Sequence, residues 1–341
     1  MTRRGAILGI FLWFLTTSSC GNTADRKASQ APVAIRLAVG GAAQIVYLPT
    51  TLAQQLGHYR DEGLDVTIED FPGGAKALQA LLGGSADVVS GFFDHVVQMA
   101  AEGRELTSFI TILRYPALAA VVSPRSSRRI SRIEDLKGAT VGVTAPGSGT
   151  HFFMNYLLIK HGLTPESISV TGIGGAGTAL AAMERGKVDA AVMTDPALAQ
   201  LAKRAGPVTI LADTRTAAGV QSAFGVSSYP ASVFYSKSEW LARNPDSGAR
   251  LVRAMKRTLA WLQSHSPREI AGRMPESHRG GDADVYVEAI RASMPVFSPD
   301  GMMAPEGPLA VEKVLSASLP KVREAKVDVG RTYTNRFVEG R

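Results

Sequence analysis

The chain has a single cysteine, Cys20, in 341 residues. No disulfide can form within it, and no site built on several thiolates (tetrahedral zinc, an iron–sulfur cluster) can be assembled. Histidine is also scarce: His58, His95, His151, His161, His265 and His278 are scattered, with no His-Glu-x-x-His pair. A Gly-x-Ser-x-Gly elbow and a Walker loop are both missing, which removes the common signs of hydrolases and phosphate-binding ATPases. No cofactor and no metal are therefore expected, and no catalytic residues are assigned. Aromatics make up only 7% of the chain, and Lys and Arg do not interleave with them. The formal charge of +7 is thus not a sign of nucleic acid. Its densest group, Arg125, Arg128, Arg129 and Arg132, is broken by serines and reads as a solvated loop. A mild positive field could still help collect anions.

What is present describes a globular protein: 45% hydrophobic and 20% charged residues, with 34 glycines and 18 prolines spread as turn markers. The length suffices for two lobes with real cores. At the start, Arg3 and Arg4 precede the apolar run Ile7 to Leu15, which is too short to span a bilayer. Small residues Thr16 to Ser19 then lead to Cys20 and Gly21. This segment resembles a bacterial lipoprotein signal. The resemblance implies a signal peptide over 1–19, lipidation of Cys20, and a flexible tether over 20–32. Thr17 departs from the usual Leu, and the alternative is cleavage nearby and a free periplasmic protein.

One phrase occurs twice. Leu78 to Val89 reads LQALLGGSADVV, and Leu180 to Ala191 reads LAAMERGKVDAA. Gly84 pairs with Gly186 and Asp87 with Asp189, 102 positions on. A small Gly-rich turn precedes each copy, at Pro72-Gly73-Gly74-Ala75 and at Gly174-Gly175-Ala176-Gly177. Each copy reads as turn, helix, glycine, strand. A glycine turn admits close approach to the backbone, and a helix start offers unpaired N–H groups. Two such units suggest two halves of a jaw whose corners confront one another.

Between these marks the pattern alternates strand and helix. Strands are expected at Val33–Val39, 65–69, 88–91, 106–113 and 118–122, then at Thr140–Val143, 169–171, 189–193 and 208–212. Helices are expected between them, including one over 151–161. Phe224 to Phe234 reads as an extended return crossing, and the chain beyond Ser238 as mostly helical. The expected architecture is α/β with two lobes, each a mostly parallel sheet flanked by helices. Lobe 1 would comprise 33–121 plus 228–341, and lobe 2 residues 122–227.

Several pieces in order then carry a resemblance: Tyr47-Leu48-Pro49 before a helix, Gly57 to Val66, Leu81 to Asp87, Ile133 to Gly138, the Gly147-Ser148-Gly149-Thr150 loop, and the tail Val327 to Val338. Together they resemble the nitrate/sulfonate/taurine and thiamine-pyrimidine type of substrate-binding protein from ABC importers. That resemblance implies a type II periplasmic-binding-protein fold with two hinge crossings. It also implies an exported, monomeric receptor, in the periplasm or tethered to the membrane, that delivers a small ligand to a permease in the inner membrane.

The candidate binding residues sit at the turns. Helix starts at Gly74, at Ser148, Gly149 and Thr150, and at Gly175 and Thr178 favour anions through their free N–H groups, although each is also an ordinary strand–helix loop. Gln44 and Tyr47 lie in the first strand–helix turn, which in proteins of the resembled type faces the cleft. Phe92, Asp94 and His95 follow the third strand. Asp94 has a plain role as a helix cap, and His95 would either bond a carboxylate or touch the ligand. Arg114 could fork onto a carboxylate or sulfonate, or bridge to Asp195. Asp195, before Pro196, is also a natural cap. His151 lies in the first helical turn after the Gly147 loop, and Phe224 and Tyr229 lie on the return crossing. Gly172-x-Gly174-x-x-Gly177 formally matches a dinucleotide fingerprint, but its twin turn at Pro72 does not, which argues for shared loop geometry instead. The expected ligand is a small organic anion, with a thiamine-type pyrimidine as the alternative. An enzyme on the same fold is the rival class; the export signal favours the receptor.

Overall fold

A computed structural model of the chain describes residues 31–341. The signal segment, Cys20 and nearly all of the tether lie outside the described residues. Ten strands form two sheets: β1 (Val33–Val39), β2 (Leu64–Asp70), β3 (Val88–Phe92), β4 (Leu106–Thr111), β5 (Ala119–Val122), β6 (Thr140–Val143), β7 (Ser169–Gly172), β8 (Ala190–Met193), β9 (Ile210–Asp213) and β10 (Ser232–Lys237). The first sheet has the order β2-β1-β3-β10-β4 and the second β7-β6-β8-β5-β9.

The two orders are the same pattern. In each sheet three parallel strands come first, with β1 central to one set and β6 to the other. The fourth position holds an antiparallel strand, β10 or β5, and a fifth strand closes the edge. The antiparallel strand is in each case the one that has just crossed from the other sheet. The first crossing therefore falls between Thr111 and Ala119 and the second between Asp213 and Ser232. β5 lies wholly in the second sheet, so a lobe boundary at 121/122 would divide a strand. We propose to draw the first crossing at residues 112–118.

Composition explains the central strands. β3 (VVSGF) and β8 (AAVM) are buried along their whole length, as a strand covered by helices on both faces must be. The main core includes Leu37, Val88, Phe93, Phe109, Phe234 and Tyr235. Each such side chain contributes about 2–3 kcal/mol by leaving water. A smaller cluster around Met183, Leu198 and Leu201 belongs to the second sheet. Helix Glu306–Ser318 packs against both helix Asp94–Ala101 and helix Gly149–Lys160, and so ties the two lobes together beside the crossings.

The expected extended crossing from Phe224 is different. Residues Ala217–Phe224 form a helix, because Thr216 caps it through Gly219 N–H and Gly225 ends it at φ +69°. Helix Gly149–Lys160 also begins two residues earlier than expected, directly at the glycine loop.

Candidate functional site

The loops at the carboxyl ends of the parallel strands meet between the two sheets. There they enclose a cavity of about 10 Å³. Eight expected residues line it: Gln44, Tyr47, Gly74, Phe92, His95, Ser148, Gly149 and Thr150. Five that sequence reasoning missed join them: Gly40, Val46, Leu118, Thr144 and Thr194. A signal for three of these was present. Gly40, Thr144 and Thr194 each come immediately after a strand, where ligands gather in open α/β sheets.

The lobes touch through direct hydrogen bonds. The Thr194 hydroxyl donates to Gln44 Oε1 at 2.8 Å, and Gln44 Nε2 donates to the Gly40 carbonyl at 2.7 Å. Ile45 N–H donates to the Asp195 carbonyl at 2.8 Å. Ala75 N–H, in the first turn of helix Gly74–Gly83, donates to Ser148 Oγ at 3.0 Å. His95 Nε2 donates to the Gly147 carbonyl at 3.1 Å, and its Nδ1 then accepts from the Tyr235 hydroxyl at 3.4 Å. Burial pushes His95 down to about 4, with the Gly147 carbonyl opposing, so the ring is neutral at physiological pH. Its partners are a carbonyl and a phenol, not the carboxylate considered from sequence.

Gly149 makes this approach possible. A Cβ there would stand 2.7 Å from Phe92 Cδ1 and 3.1 Å from Asp94 Oδ2. The duplicated corners do not confront one another, however. Gly73 faces Ala145 and Ser148, while Gly175 packs on Gln44. Each corner opposes the other lobe's first strand–helix turn, because the repeat places equivalent loops diagonally across the cleft.

Asp94, also expected at the site, does not line the cavity itself; it is buried behind Gly149 and Phe92. It does not cap its helix through its side chain; it is the first helical residue, after Phe93. Oδ1 accepts from the Tyr229 hydroxyl at 3.1 Å. Burial pushes its carboxyl up to about 7, and the Tyr229 bond opposes that shift. No Lys or Arg lines the cavity among the described residues, and no ion pair to Asp94 is present among them. Tyr47 is buried beside it, and burial raises its phenol well above its ordinary value, with Asp70 and Asp94 adding to the rise.

The remaining expected residues lie elsewhere. Arg114 is exposed and donates to the Pro295 carbonyl at 3.0 Å, so the C-terminal segment holds it away from the cleft and from Asp195. Asp195 is instead held by Arg215 at 3.2 Å, and its other oxygen accepts from Ala199 N–H at 3.1 Å as a cap. His151 Nδ1 accepts from Gly147 N–H at 3.0 Å and serves its own loop. Thr178 is exposed and donates to the Gly175 carbonyl at 2.9 Å. Phe224 stacks on Tyr229 with centroids 4.4 Å apart, so the second crossing supplies the wall behind Asp94.

Comparison with known proteins bears on the family and the fold. The profile of the NMT1/THI5 like family matches residues 44–270. A solved structure from Bordetella bronchiseptica RB50 is 39% identical, with a TM-score of 0.87 over 92% of this chain and 97% of that one. The alkanesulfonate-binding protein SsuA from Xanthomonas axonopodis pv. citri, solved with MOPS bound, is 20% identical with a TM-score of 0.65 over 90% and 99%. YtlA of Bacillus subtilis (strain 168), a candidate binding protein, is 23% identical over 76% of each chain. The 4-amino-5-hydroxymethyl-2-methylpyrimidine phosphate synthase of Schizosaccharomyces pombe (strain 972 / ATCC 24843) is 29% identical over only 38% of this chain and 36% of its own. The chain belongs to the NMT1/THI5 like family and has the two-lobed periplasmic-binding-protein fold.

Proposed function

We propose that the chain is the extracytoplasmic solute receptor of an ABC importer, anchored through Cys20, which closes its lobes on one small molecule and presents the closed form to a permease. The reading rests on a site assembled wholly from strand-end loops of two sheets joined by two crossings. Binding without turnover is favoured because likeness to the pyrimidine phosphate synthase reaches only part of the chain.

The ligand is better described by Asp94 than by the helix starts. An anion would be desolvated in a cleft with no Lys or Arg among its described lining residues, and burying an unpaired charge costs several kcal/mol. A flat, nitrogen-bearing solute that donates N–H to Asp94 and lies against Phe92 and Tyr47 satisfies the site instead. We therefore favour the aminopyrimidine type over sulfonate, nitrate or carboxylate. A cavity of about 10 Å³ holds a single water, so any organic ligand keeps the lobes further apart than here. The groups now bonded across the cleft, at Gln44, Thr194, Ala75 and Ser148, would turn to the ligand. Closure is then driven by contacts that the open form lacks.

Calorimetric titration of the full chain with 4-amino-5-hydroxymethyl-2-methylpyrimidine, taurine, ethanesulfonate and nitrate tests this. Heat and saturation with the pyrimidine, and none with the anions, are expected. Tighter binding of any anion would overturn the ligand class, and turnover of the bound pyrimidine would overturn the receptor.

A further inference from the structure

The two lobes also meet outside the cleft. Helix Ala197–Ala205 of the second lobe lies against helix Ala283–Ser293 of the C-terminal segment, which packs in turn on the first-lobe segment Ile45–Tyr47. The short helix Glu276–Arg279 precedes it and sits on the same lobe, where His278 lies close enough to Asp70 to feel its charge. Arg279 fixes that short helix by donating to the Met274 carbonyl at 2.7 and 3.1 Å. On the facing side, helix Ala197–Ala205 is fixed through Ala199 N–H to Asp195, whose carbonyl takes Ile45 N–H from the first lobe. Each side of the seam is thus tied to one half of an interlobe bond. A hinge motion that parts Ile45 from Asp195 carries Gln200, on its helix, away from Gly280.

The seam closes on a polar group that it does not satisfy. Gln200 is only 4% exposed, and its Nε2 has no hydrogen-bond partner among the described residues. Gly280 covers it so closely that a Cβ at that position would fall on the amide. When the lobes separate, water reaches the amide and makes the bonds that the closed form denies it. A donor sealed without a partner bears its whole desolvation penalty, which is a factor of about ten or more in an equilibrium. An apolar side chain of the same length would be buried here without that penalty.

We propose that Gln200 acts as a spring in this seam: sealing its amide under Gly280 penalises closure, so the empty receptor rests open and closes only with the contacts that a ligand adds in the cleft. The balance of the two forms is then set by a residue outside the cleft lining. Apparent affinity is reduced by the fraction of the empty chain that is closed, so the amide lowers affinity while keeping the empty chain from posing as a loaded one. The inference rests on the hinged-lobe reading and not on which solute binds.

Two variants push the seam in opposite directions. Gln200→Met keeps an unbranched side chain of similar length and removes the amide. Gly280→Ala drives a methyl group into the amide, while its strain at φ +68° is present in both forms and leaves their balance alone. NMR residual dipolar couplings of the unliganded full chain read the mean angle between the lobes and need no ligand. The closed fraction should rise about tenfold in Gln200→Met and fall in Gly280→Ala. The double variant Gly280→Ala with Gln200→Ala, which removes the clash, should close at least as readily as the native chain. Calorimetry with 4-amino-5-hydroxymethyl-2-methylpyrimidine should show affinity following the closed fraction, about tenfold tighter in Gln200→Met. If that solute does not bind, the couplings alone decide. A closed fraction unchanged or lowered in Gln200→Met overturns the spring, and so does a double variant that stays as open as Gly280→Ala.

Discussion

Asp94 and Asp195 occupy the same place in two copies of one pattern. Each lies two residues past the third parallel strand of its sheet, β3 or β8, at the start of a helix, and each is buried. Their surroundings differ completely. Asp195 has Arg215 at 3.2 Å and a helix N–H at 3.1 Å, and Arg215 is itself bound to Asp213. Asp94 has one phenol. The repeat thus fixes position but not chemistry. One carboxylate is a finished part of the structure, while the other is buried behind the cleft wall without a cation, and burial makes it hold its proton up to about 7.

The largest expected effect breaks the finished member. In Arg215→Met, Asp195 loses its cation while remaining buried, and stability should fall by about 3–5 kcal/mol. Urea denaturation near neutral pH measures this. The double variant Arg215→Met with Asp195→Asn, which keeps the cap, should recover most of the loss. A small effect in the single variant would mean that Asp195 needs no partner, and the contrast with Asp94 would disappear.

The unmatched member should behave in the opposite way. Because burial raises the Asp94 carboxyl from 3.8 to about 7, the folded chain holds that proton more tightly than the unfolded chain. Its contribution to stability is complete below about 3.8 and is lost as the pH rises through about 7. The steepest slope is about 1.4 kcal/mol per pH unit. Asp94→Asn should flatten the profile in that window without destabilising the chain at neutral pH, and should weaken the cleft ligand about 30-fold or more. Melting curves across pH decide the first point and calorimetry the second. A profile as steep as that of the native chain would place the titration elsewhere.

Much of this arrangement was legible in the sequence. Alternation gave Val33–Val39 and Thr140–Val143 to the residue, because parallel strands with covered faces have few other patterns open to them. Glycine turns located four cavity residues, Gly74, Ser148, Gly149 and Thr150; Gln44 and Tyr47 followed from the family resemblance, and Phe92 and His95 from their place after the third strand. What escaped depends on partners distant in the chain. Tyr229 reaches Asp94 across 135 positions, and the C-terminal segment captures Arg114 across 181. No local spacing encodes such pairs. The diagonal opposition of the corners was hidden for a related reason: a repeat reveals that two loops are equivalent, not which loop each will face. The helix Ala217–Phe224 was missed although Thr216 and Gly225 bracket it, since Phe224 and Tyr229 were read as one extended crossing.

Gly149 tests whether the close approach around Asp94 is needed. A methyl group at that position must displace the Phe92 ring or the Asp94 carboxylate. Gly149→Ala should therefore weaken ligand binding several-fold while the melting temperature of the unliganded chain stays within a few degrees, because the helix itself tolerates alanine better than glycine. Scattering measurements should show a less compact liganded form. If compaction and affinity are both unchanged, the contact between Gly149 and Phe92 does not limit closure.

The smallest effect separates the two corners. The Gly73–Gly74 corner receives its hydroxyl from the other lobe, where Ser148 Oγ accepts from Ala75 N–H. The Gly147–Thr150 corner is held from within: Thr150 Oγ1 accepts from Thr144 N–H at 3.0 Å and lies 2.9 Å from the Thr144 hydroxyl. Thr150→Val should thus cost about 1 kcal/mol of stability, with a matching loss of affinity as the strand end loosens. Ser148→Ala should leave stability nearly unchanged and reduce only the tendency to close. Urea curves for both variants, set beside their affinities, read the difference. Equal stability losses would show that the two hydroxyls have the same role, and that the corners differ in place alone.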